Sequence, residues 1–309
     1  MLTRRDVLRA LAGGSVCLGF DGALSAGGQG AARPELSFGV VADAQYADAE
    51  PKIGRHYRES LTKLAECVAA LNARKLDFTV HLGDLIERDF ASFAAICPVY
   101  EKLSMPHYHV LGNHDFSVVE AEKPKVPRAL GLDKLGGGKG FYDLTLGRWR
   151  LIVLDGTDIS TYARPAGSPG HTQALAEMAR LKRQKRRNAA GYNGGLGDEQ
   201  LRWFAGVLDA AAKADQRVIV FCHMPVFPDD PHNLYNDREV LKLLAGRRNV
   251  VAWLAGHNHA GNYGRAGRVH CLTMKGMVQG ATNAYGVVEA YADHLKLTGF
   301  GREADRTMK

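Results

Sequence analysis

Five short stretches of this 309-residue sequence each run an apolar segment into a side chain that can bind a metal ion or carry a proton. In the densest stretch, residues 110–116, Asn113, His114 and Asp115 directly follow Gly112, and glycine lets the backbone turn without the steric cost of a Cβ atom. The metal-ligand candidates from the five stretches are Asp43, Gln45, Asp84, Asn113, His223, His257 and His259. Packing does not require a polar residue at the same end of every strand, so these residues are predicted to form one site.

The donor types of this site indicate its chemistry. Oxygen and imidazole donors suit Mn²⁺, Fe²⁺, Zn²⁺ or Ni²⁺, and the lack of thiolates argues against a structural zinc. Seven residues are too many for one ion and about right for two ions that share a carboxylate. Two ions about 3.5–4 Å apart can hold both oxygens of an in-line displacement at phosphorus and acidify a bridging water. Singly, each residue has an ordinary alternative as a helix cap or core histidine; together they predict a two-metal hydrolase.

The elements that must position these residues alternate between strand and helix in the first half of the chain. Residues 36–42, 78–82 and 107–111 are apolar and are predicted to be strands, while residues 56–74 carry apolar side chains at helical spacing and residues 91–103 form a second helix. This order predicts parallel strands whose carboxyl ends lie at one edge, where open α/β sheets bind ligands.

The second half of the chain is predicted to add further strands and helices. The predicted elements are a loop over 117–139, a hairpin of strands 141–146 and 149–154, a polar helix over 172–188, a helix that Asp198 caps, strands 218–222 and 250–254 around a helix over 237–244, and short strands between 269 and 298. No repeat or low-complexity linker divides residues 34–309, so one domain with two sheets faced by helices is predicted. A basic cluster at residues 182–187 is typical of a solvated face, with phosphate collection or a partner contact as alternatives.

Residues 1–33 have the three parts of a cleaved export leader: Arg4 and Arg5, a weakly apolar run rich in glycine and alanine, and small residues after it. The paired arginines resemble a twin-arginine signal, which predicts that the twin-arginine machinery exports the folded protein to the periplasm or beyond. The alternatives are an amphipathic N-terminal helix and, less favoured because Val16 precedes it, a lipid anchor at Cys17. The apolar run is too short to span a membrane, and no membrane segment is expected in the mature form.

The net charge and the cysteines indicate which kinds of ligand and which thiol chemistry fit this chain. Removing residues 1–33 takes away four arginines and two aspartates, so the formal net charge of +7 falls to +5. This modest positive net charge is compatible with a phosphorylated substrate. It does not indicate the dense basic surface of a nucleic-acid binder. The other cysteines, Cys67, Cys97, Cys222 and Cys271, are predicted to be buried thiols, although an oxidising compartment would permit a disulfide.

The order of the five stretches resembles a known family. D-x-[HQ], G-D, G-N-H-[DE], H and G-H-x-H between residues 38 and 259 are the motifs of the calcineurin-like metallophosphoesterases. This resemblance implies an α/β fold of the four-layer αββα sandwich type, in which two mixed sheets are flanked by helices. Residues 38–48, 55–60, 192–195 and 301–308 look like the manganese-dependent ADP-ribose/CDP-alcohol diphosphatases of that family.

The resemblance implies a role for each candidate residue. Asp43, Gln45 and His259 would hold the first ion, Asn113, His223 and His257 the second, and Asp84 would bridge them. His114 would stabilise developing charge or protonate the leaving group, and Asn193 and Gly194 would contact substrate. Gln45 replaces the histidine common in the wider family. Because an amide oxygen is a poorer donor than imidazole, the first ion is expected to be held more weakly.

The implied activity is hydrolysis of nucleoside diphosphate-linked compounds, ADP-ribose or CDP-alcohols, at the P–O–P bond. A hydroxide bridging two divalent ions would attack, with Mn²⁺ favoured and Fe²⁺ or Zn²⁺ as alternatives. A phosphomonoesterase or phosphodiesterase of the same fold is the first alternative, since the metal centre is common to all of them and leaving-group selection would fall to residues 117–139 and 155–197. A non-catalytic interaction scaffold is less favoured because no ligand is missing.

Overall fold

Two six-stranded sheets form the centre of the structure, a computed structural model that describes residues 33–309; the predicted export leader therefore lies outside the described residues except for Arg33. The first sheet has the strand order β12-β11-β10-β1-β2-β3. Its strands are β1 (Leu36–Val41), β2 (Phe78–His81), β3 (His107–His109), β10 (Ala284–Ala290), β11 (Leu295–Gly301) and β12 (Arg306–Met308). The strands β1, β2 and β3 run parallel, whereas β10 pairs antiparallel with β1.

The second sheet has the order β4-β5-β6-β7-β9-β8. Its strands are β4 (Tyr142–Leu146), β5 (Trp149–Val153), β6 (Arg217–Phe221), β7 (Val250–Ala255), β8 (Asn262–Ala266) and β9 (Val269–Thr273). The strands β5, β6, β7 and β9 are parallel, and β4 and β8 are antiparallel edge strands. Both sheets are therefore mixed, as predicted.

Helices cover the outer face of each sheet. They are α1 (Ser60–Asn72), α2 (Ala91–Tyr100), the single turn α3 (Val126–Ala129), α4 (Pro169–Arg183), α5 (Asp198–Lys213) and α6 (Asp237–Leu244). Buried side chains of α5 and α6 pack against Val218 and Val220 of β6, while the alternate residues Ile219 and Phe221 join the core between the sheets. Successive side chains of a strand point to opposite faces, so the predicted four-layer αββα arrangement is confirmed.

The core between the sheets is aromatic at its centre. The rings of Phe38 in β1 and Phe78 in β2 stack with their centroids 4.7 Å apart, and Phe221 of β6 meets Phe38 edge-on at 5.7 Å. Such pairs add to the free energy gained from burying their area. This packing fixes β1, β2 and β6 relative to one another, and these three strands carry candidate ligands at their carboxyl ends. Within residues 33–309, no helix combines the length and apolar character needed to cross a membrane.

The structure corrects several predicted boundaries. Helix α1 begins at Ser60 rather than at residue 56, because Arg55 pairs with Gln279 and the His56 backbone nitrogen donates to Val278. Asp198 is the first residue of α5 rather than its cap, a position that Gly197 occupies. Residues 117–139, predicted as a loop, contain α3 and three short 3₁₀ turns.

Two strands and both boundaries of one helix also differ from the prediction. The strands β8 and β12 were not predicted, since both lie at sheet edges and are polar or only three residues long. Helix α4 begins at Pro169, where Ser168 caps it, and ends at Arg183 rather than near residue 188. All four cysteines of the described residues are free thiols, and Cys97 is half-buried rather than buried.

Candidate metal centre

The carboxyl ends of parallel strands from both sheets bring the candidate ligands together. Asp43 follows β1, Asp84 follows β2, His223 follows β6 and His257 follows β7. Asn113 lies four residues after β3. Six of the seven predicted ligands are buried, and the side chain of His259 is 11% exposed. The expectation that the five stretches converge is therefore met by the fold.

Asp84 lies at the centre of this group. Its Oδ2 accepts a hydrogen bond from Gln45 Nε2 at 3.0 Å and lies 3.3 Å from His223 Nε2. Its Oδ1 accepts from the backbone nitrogen of His114 at 2.7 Å. Donor atoms of Asp84, His223 and His257 all lie within 4.8 Å of one another. A carboxylate between two sets of donors is the arrangement that a shared ligand requires.

The first set of donors lies on the β1 side. Asp43 Oδ1 is 3.4 Å from His259 Nε2, and both oxygens of Asp43 lie 3.1 Å from the backbone nitrogen of His257. Among the described residues, the buried Oε1 of Gln45 has no hydrogen-bond partner. A buried acceptor without a partner costs about 1–3 kcal/mol, so this oxygen fits a cation as its partner.

The second set of donors includes two imidazoles. His223 Nδ1 donates to the carbonyl oxygen of Leu82 at 2.7 Å, and its Nε2 faces Asn113 Oδ1 at 3.1 Å. His257 lies beside it, with the two ring centroids 4.8 Å apart. Amide oxygen and imidazole nitrogen together suit borderline divalent ions, so the residues present fit the implied metal centre.

The ionisable groups of the site shift one another's pKa values. Burial alone would raise the pKa of the Asp84 carboxyl, but His223 and His114 hold that pKa well below its usual range. Burial opposes the charged form of His223, yet Asp84 raises the pKa of His223 to about 9. Burial, reinforced by His223, lowers the pKa of His257 well below its usual value. Asp84 and His223 therefore favour each other's charged forms, whereas the surroundings of His257 favour its neutral form.

His114 is oriented by a carboxylate that sequence reasoning missed. Its Nδ1 lies 3.2 Å from both Oε2 and the backbone oxygen of Glu87, and Glu87 Oε2 also contacts Arg55. Both oxygens can only accept, so Nδ1 carries the proton and Nε2 remains available. The His114 side chain is 22% exposed, which leaves it open to a bound molecule. Glu87 lies three residues after Asp84, a spacing that gave no signal by itself.

Asp115, which the sequence offered as a further metal or proton group, supports the backbone instead. Its carboxylate accepts hydrogen bonds from the backbone nitrogens of Gly112, Asp84 and Leu85 at 2.9, 3.1 and 2.8 Å. Burial, with Asp84 adding to it, raises the pKa of Asp115 to about 7. Asp115 thus ties the turn after β3 to the turn after β2.

The structure places the predicted substrate contacts Asn193 and Gly194 inside the protein, next to a predicted metal ligand. Asn193 is fully buried and its Oδ1 lies 2.8 Å from His257 Nε2. A Cβ atom on Gly194 would lie 2.2 Å from the backbone oxygen of Gly156. Both residues are therefore engaged inside the protein. The sequence pattern singles out these two residues, and the fold shows what they contact.

Four candidate ligands adopt an unusual backbone conformation. The φ angles are 52° at Asp43, 44° at Gln45, 58° at Asp84 and 70° at His257. Such left-handed geometry costs a non-glycine residue about 1–2 kcal/mol and persists only where surrounding contacts enforce it. Here the backbone nitrogens of Asp43 and Gln45 donate to Gly83 and to Asp84. The strain is concentrated at the site, as is common where side chains are held for function.

The C-terminal motif at residues 301–308 reaches the site through a loop. Arg302 donates to the backbone oxygens of Gly276 and Thr282, and Lys63 donates to that of Met277 at 3.1 Å. A Cβ atom on Gly276 would lie 2.8 Å from His259 Cγ. These cations therefore hold the loop against a predicted ligand, which explains why a motif so late in the chain accompanies the ligand motifs.

Comparisons with known proteins agree with this geometry. The family model for calcineurin-like phosphoesterases matches residues 36–261. A protein named manganese-dependent ADP-ribose/CDP-alcohol diphosphatase from Arabidopsis thaliana is 31% identical over 89% of this chain and 97% of its own length. The protein of that name from Xenopus tropicalis is also 31% identical, over 89% of this chain and 94% of its own.

A solved structure is similar to this fold as well. The crystal structure of a dimetal phosphatase from Danio rerio matches with a TM-score of 0.80 and 25% sequence identity, covering 89% of this chain and 99% of that one. The similarity therefore extends through the helices and edge strands as well as the ligand-bearing turns.

Proposed function

Since the chain belongs to the calcineurin-like phosphoesterase family and is a metal-dependent phosphohydrolase, we propose that it hydrolyses nucleoside diphosphate-linked compounds of the ADP-ribose or CDP-alcohol kind. The bond cleaved is P–O–P, and the products are two monophosphates. The observation that carries the proposal is a similarity that spans 89% of this chain to relatives named for that activity. Two divalent ions, with Mn²⁺ preferred, complete the site.

The residues present divide between the two ions around Asp84. Asp43, Gln45 and His259 would hold one, Asn113, His223 and His257 the other, and Asp84 both. Bound ions would neutralise charge developing at phosphorus and lower the pKa of the attacking water. The buried Gln45 Oε1, which lacks a hydrogen-bond partner among the described residues, supports this assignment.

His114 supplies the chain's own polar contact to the reacting group. With the Nδ1 proton directed at Glu87, Nε2 is the nitrogen that faces the substrate, and it donates to a phosphoryl or leaving-group oxygen when the ring is the doubly protonated imidazolium. Its ring is fixed before substrate binds, so the contact costs little reorganisation during the reaction. A diphosphate also offers a leaving group of low basicity, and the nucleoside supplies binding energy that positions it.

His114→Gln is expected to lower kcat by on the order of 10²-fold or more, as loss of a general acid or electrostatic donor does. The content of both ions should stay unchanged, because His114 is assigned to substrate rather than to coordination. Kinetics and elemental analysis of the same samples measure both. His294→Gln, in the turn between β10 and β11, is the control and should match wild type. Loss of one ion from His114→Gln would place this residue among the ligands.

The test of the activity is a substrate panel with Mn²⁺. ADP-ribose and CDP-choline should give higher kcat/KM than a nucleoside monophosphate or a cyclic nucleotide, and a chelator should abolish all turnover. A higher kcat/KM for the monophosphate or the cyclic nucleotide would instead support the monoesterase or phosphodiesterase alternative on the same fold. Full activity in metal-stripped protein would contradict the metal centre itself.

We further propose that residues 1–33 direct export through the twin-arginine machinery, and that the mature protein acts in the periplasm or outside the cell. The support is the order of paired arginines, weakly apolar run and small residues in the sequence.

Replacing Arg4 and Arg5 together with lysine should strand the precursor in the cytoplasm, because the route reads the pair as an address and not as charge. Cell fractionation with immunodetection of precursor and mature forms measures this, and Arg9→Lys is the control. Unchanged recovery of the double variant outside the cytoplasm would reject the route.

A further inference from the structure

The side-chain amide of Asn193 has only one orientation that satisfies its surroundings. One of its terminal atoms lies 2.9 Å from the backbone oxygen of Asn188 and 2.7 Å from that of Pro231. Carbonyl oxygens only accept hydrogen bonds, so this atom is the nitrogen Nδ2. The other atom is therefore Oδ1, and it lies 2.8 Å from His257 Nε2.

This orientation determines where the proton of His257 lies. Oδ1 of an amide can only accept, so Nε2 of His257 must donate. A neutral imidazole carries one N–H, and Nδ1 is then left with a free lone pair. We propose that Asn193 is a positioning residue that holds His257 in the tautomer whose Nδ1 can bind a divalent cation. The inference rests on the proposed metal centre, because His257 is one of its ligands.

The loop around Asn193 packs closely against the rest of the protein and keeps this amide in the interior. The Asn193 side chain has no exposed surface. Gly194 lies so close to the Gly156 backbone oxygen that a Cβ atom would be 2.2 Å from it. The backbone groups of Gly195 and Ile159 exchange two hydrogen bonds of 2.9 Å. The Asn-Gly-Gly run thus combines one amide that fixes a ligand with Gly194, whose missing Cβ lets the loop approach residues 156–159, and Gly195, whose backbone pairs with Ile159.

The two histidines assigned to the second ion are presented in different ways. His223 donates from Nδ1 to the backbone oxygen of Leu82, so it offers Nε2. His257 donates from Nε2 to a side chain, so it offers Nδ1. Partners of this kind fix the tautomer and ring orientation of a ligand histidine, and their loss costs 10–100-fold in metal affinity. The backbone partner of His223 cannot be removed by substitution, whereas the partner of His257 can.

Three variants separate tautomer control from loop stability. Asn193→Leu keeps the approximate size and removes the acceptor. Asn193→Asp keeps an acceptor for His257 Nε2 but loses the donor to the two carbonyls. Asn188→Leu is the matched control, since Asn188 is also a buried asparagine, 1% exposed, whose Nδ2 donates to Leu234 in the same loop region. Its contact with Asn193 is made by its backbone oxygen, which leucine retains.

The first measurement needs neither metal nor activity. In metal-free protein labelled with ¹⁵N-histidine, two-dimensional ¹H–¹⁵N spectra distinguish protonated from unprotonated ring nitrogens, and His257→Asn assigns the signal. Wild type, Asn193→Asp and Asn188→Leu should show His257 protonated at Nε2 only. Asn193→Leu should show a mixture of tautomers.

The second measurement is Mn²⁺ binding, followed by the electron paramagnetic resonance signal of the free ion. Asn193→Leu should weaken one ion by about 10–100-fold and leave the other unchanged. Asn193→Asp and Asn188→Leu should bind as wild type, with circular dichroism confirming that each variant is folded.

An unchanged tautomer in folded Asn193→Leu, or unchanged affinity for both ions, would overturn the inference. Failure of wild type to bind Mn²⁺ would overturn both the metal centre and the part of the inference that depends on it. The spectra of metal-free protein would still show whether Asn193 sets the tautomer, so the two failures are distinguishable.

Discussion

Asp84→Ala is expected to reduce kcat/KM by on the order of 10³-fold or more and to cost more than any other single ligand substitution. The reason is its central position. Gln45, assigned to one ion, and His223, assigned to the other, contact the same oxygen of Asp84, so this one carboxylate is predicted to serve both ions. Its removal also takes away the negative charge that the two neighbouring histidines stabilise.

The measurement pairs steady-state kinetics with metal analysis. Asp84→Ala should lose both ions, whereas Gln45→Ala should lose only the ion bound by Asp43 and His259. Asp209→Ala, which removes an exposed carboxylate of α5 that pairs with Arg247, is the control and should retain full activity. If Gln45→Ala were the more damaging change, or if Asp84→Ala kept two ions, the bridging assignment would be wrong.

Gly112→Ala is expected to cause the second large loss through one methyl group. The added Cβ would lie 2.2 Å from Asp84 Oδ1 and 2.3 Å from the Asp84 backbone nitrogen. The φ angle of Gly112 is not left-handed, so alanine meets a steric conflict there rather than a conformational one. Since the Asp84 backbone is tied to Asp115, the bridging carboxylate must move, and kcat/KM should fall by on the order of 10²-fold, as a misplacement of about 1 Å does.

Its control is Gly206→Ala. Gly206 is exposed within α5, and a Cβ there would have no neighbour within 4 Å. Gly206→Ala should raise the free energy of unfolding by roughly 0.5–1 kcal/mol and leave activity unchanged. Overpacking in Gly112→Ala should lower the free energy of unfolding by roughly 1–3 kcal/mol. Urea unfolding and kinetics measure both variants. A fully active Gly112→Ala would show that the turn after β3 relaxes without moving Asp84.

The parts of the site that depend on strand order could be predicted from the sequence. The strands that lead to Asp43, Asp84 and Asn113 align their carboxyl ends because parallel strands of one sheet share a direction. This argument uses only local pattern and chain order, and the structure brings these residues together. The convergence of the ligand-bearing stretches and the two-sheet architecture therefore followed from patterns visible along the chain, and the role of the seven residues as metal donors stays a prediction.

The residues that support the ligands could not be predicted in the same way. Glu87 orients His114, and Asn193 contacts His257 across 64 positions of sequence. Lys63 reaches Met277 across 214 positions. Such contacts depend on how loops fold back over the sheets, and no spacing along the chain records them. For the same reason, the sequence does not show that the side chain of Asn193 contacts His257, a predicted ligand.

The backbone is left-handed at Asp43, Gln45 and Asp84. At these positions, the residue type that best favours stability differs from the one that catalysis requires. Glycine adopts these angles without the cost that other residues bear. A library screened for heat resistance alone would therefore enrich glycine at the very positions where the donor atoms are needed, and its best survivors would be inactive. Engineering for stability should leave these three positions unchanged and substitute residues on helix surfaces, where residue choice and activity are independent.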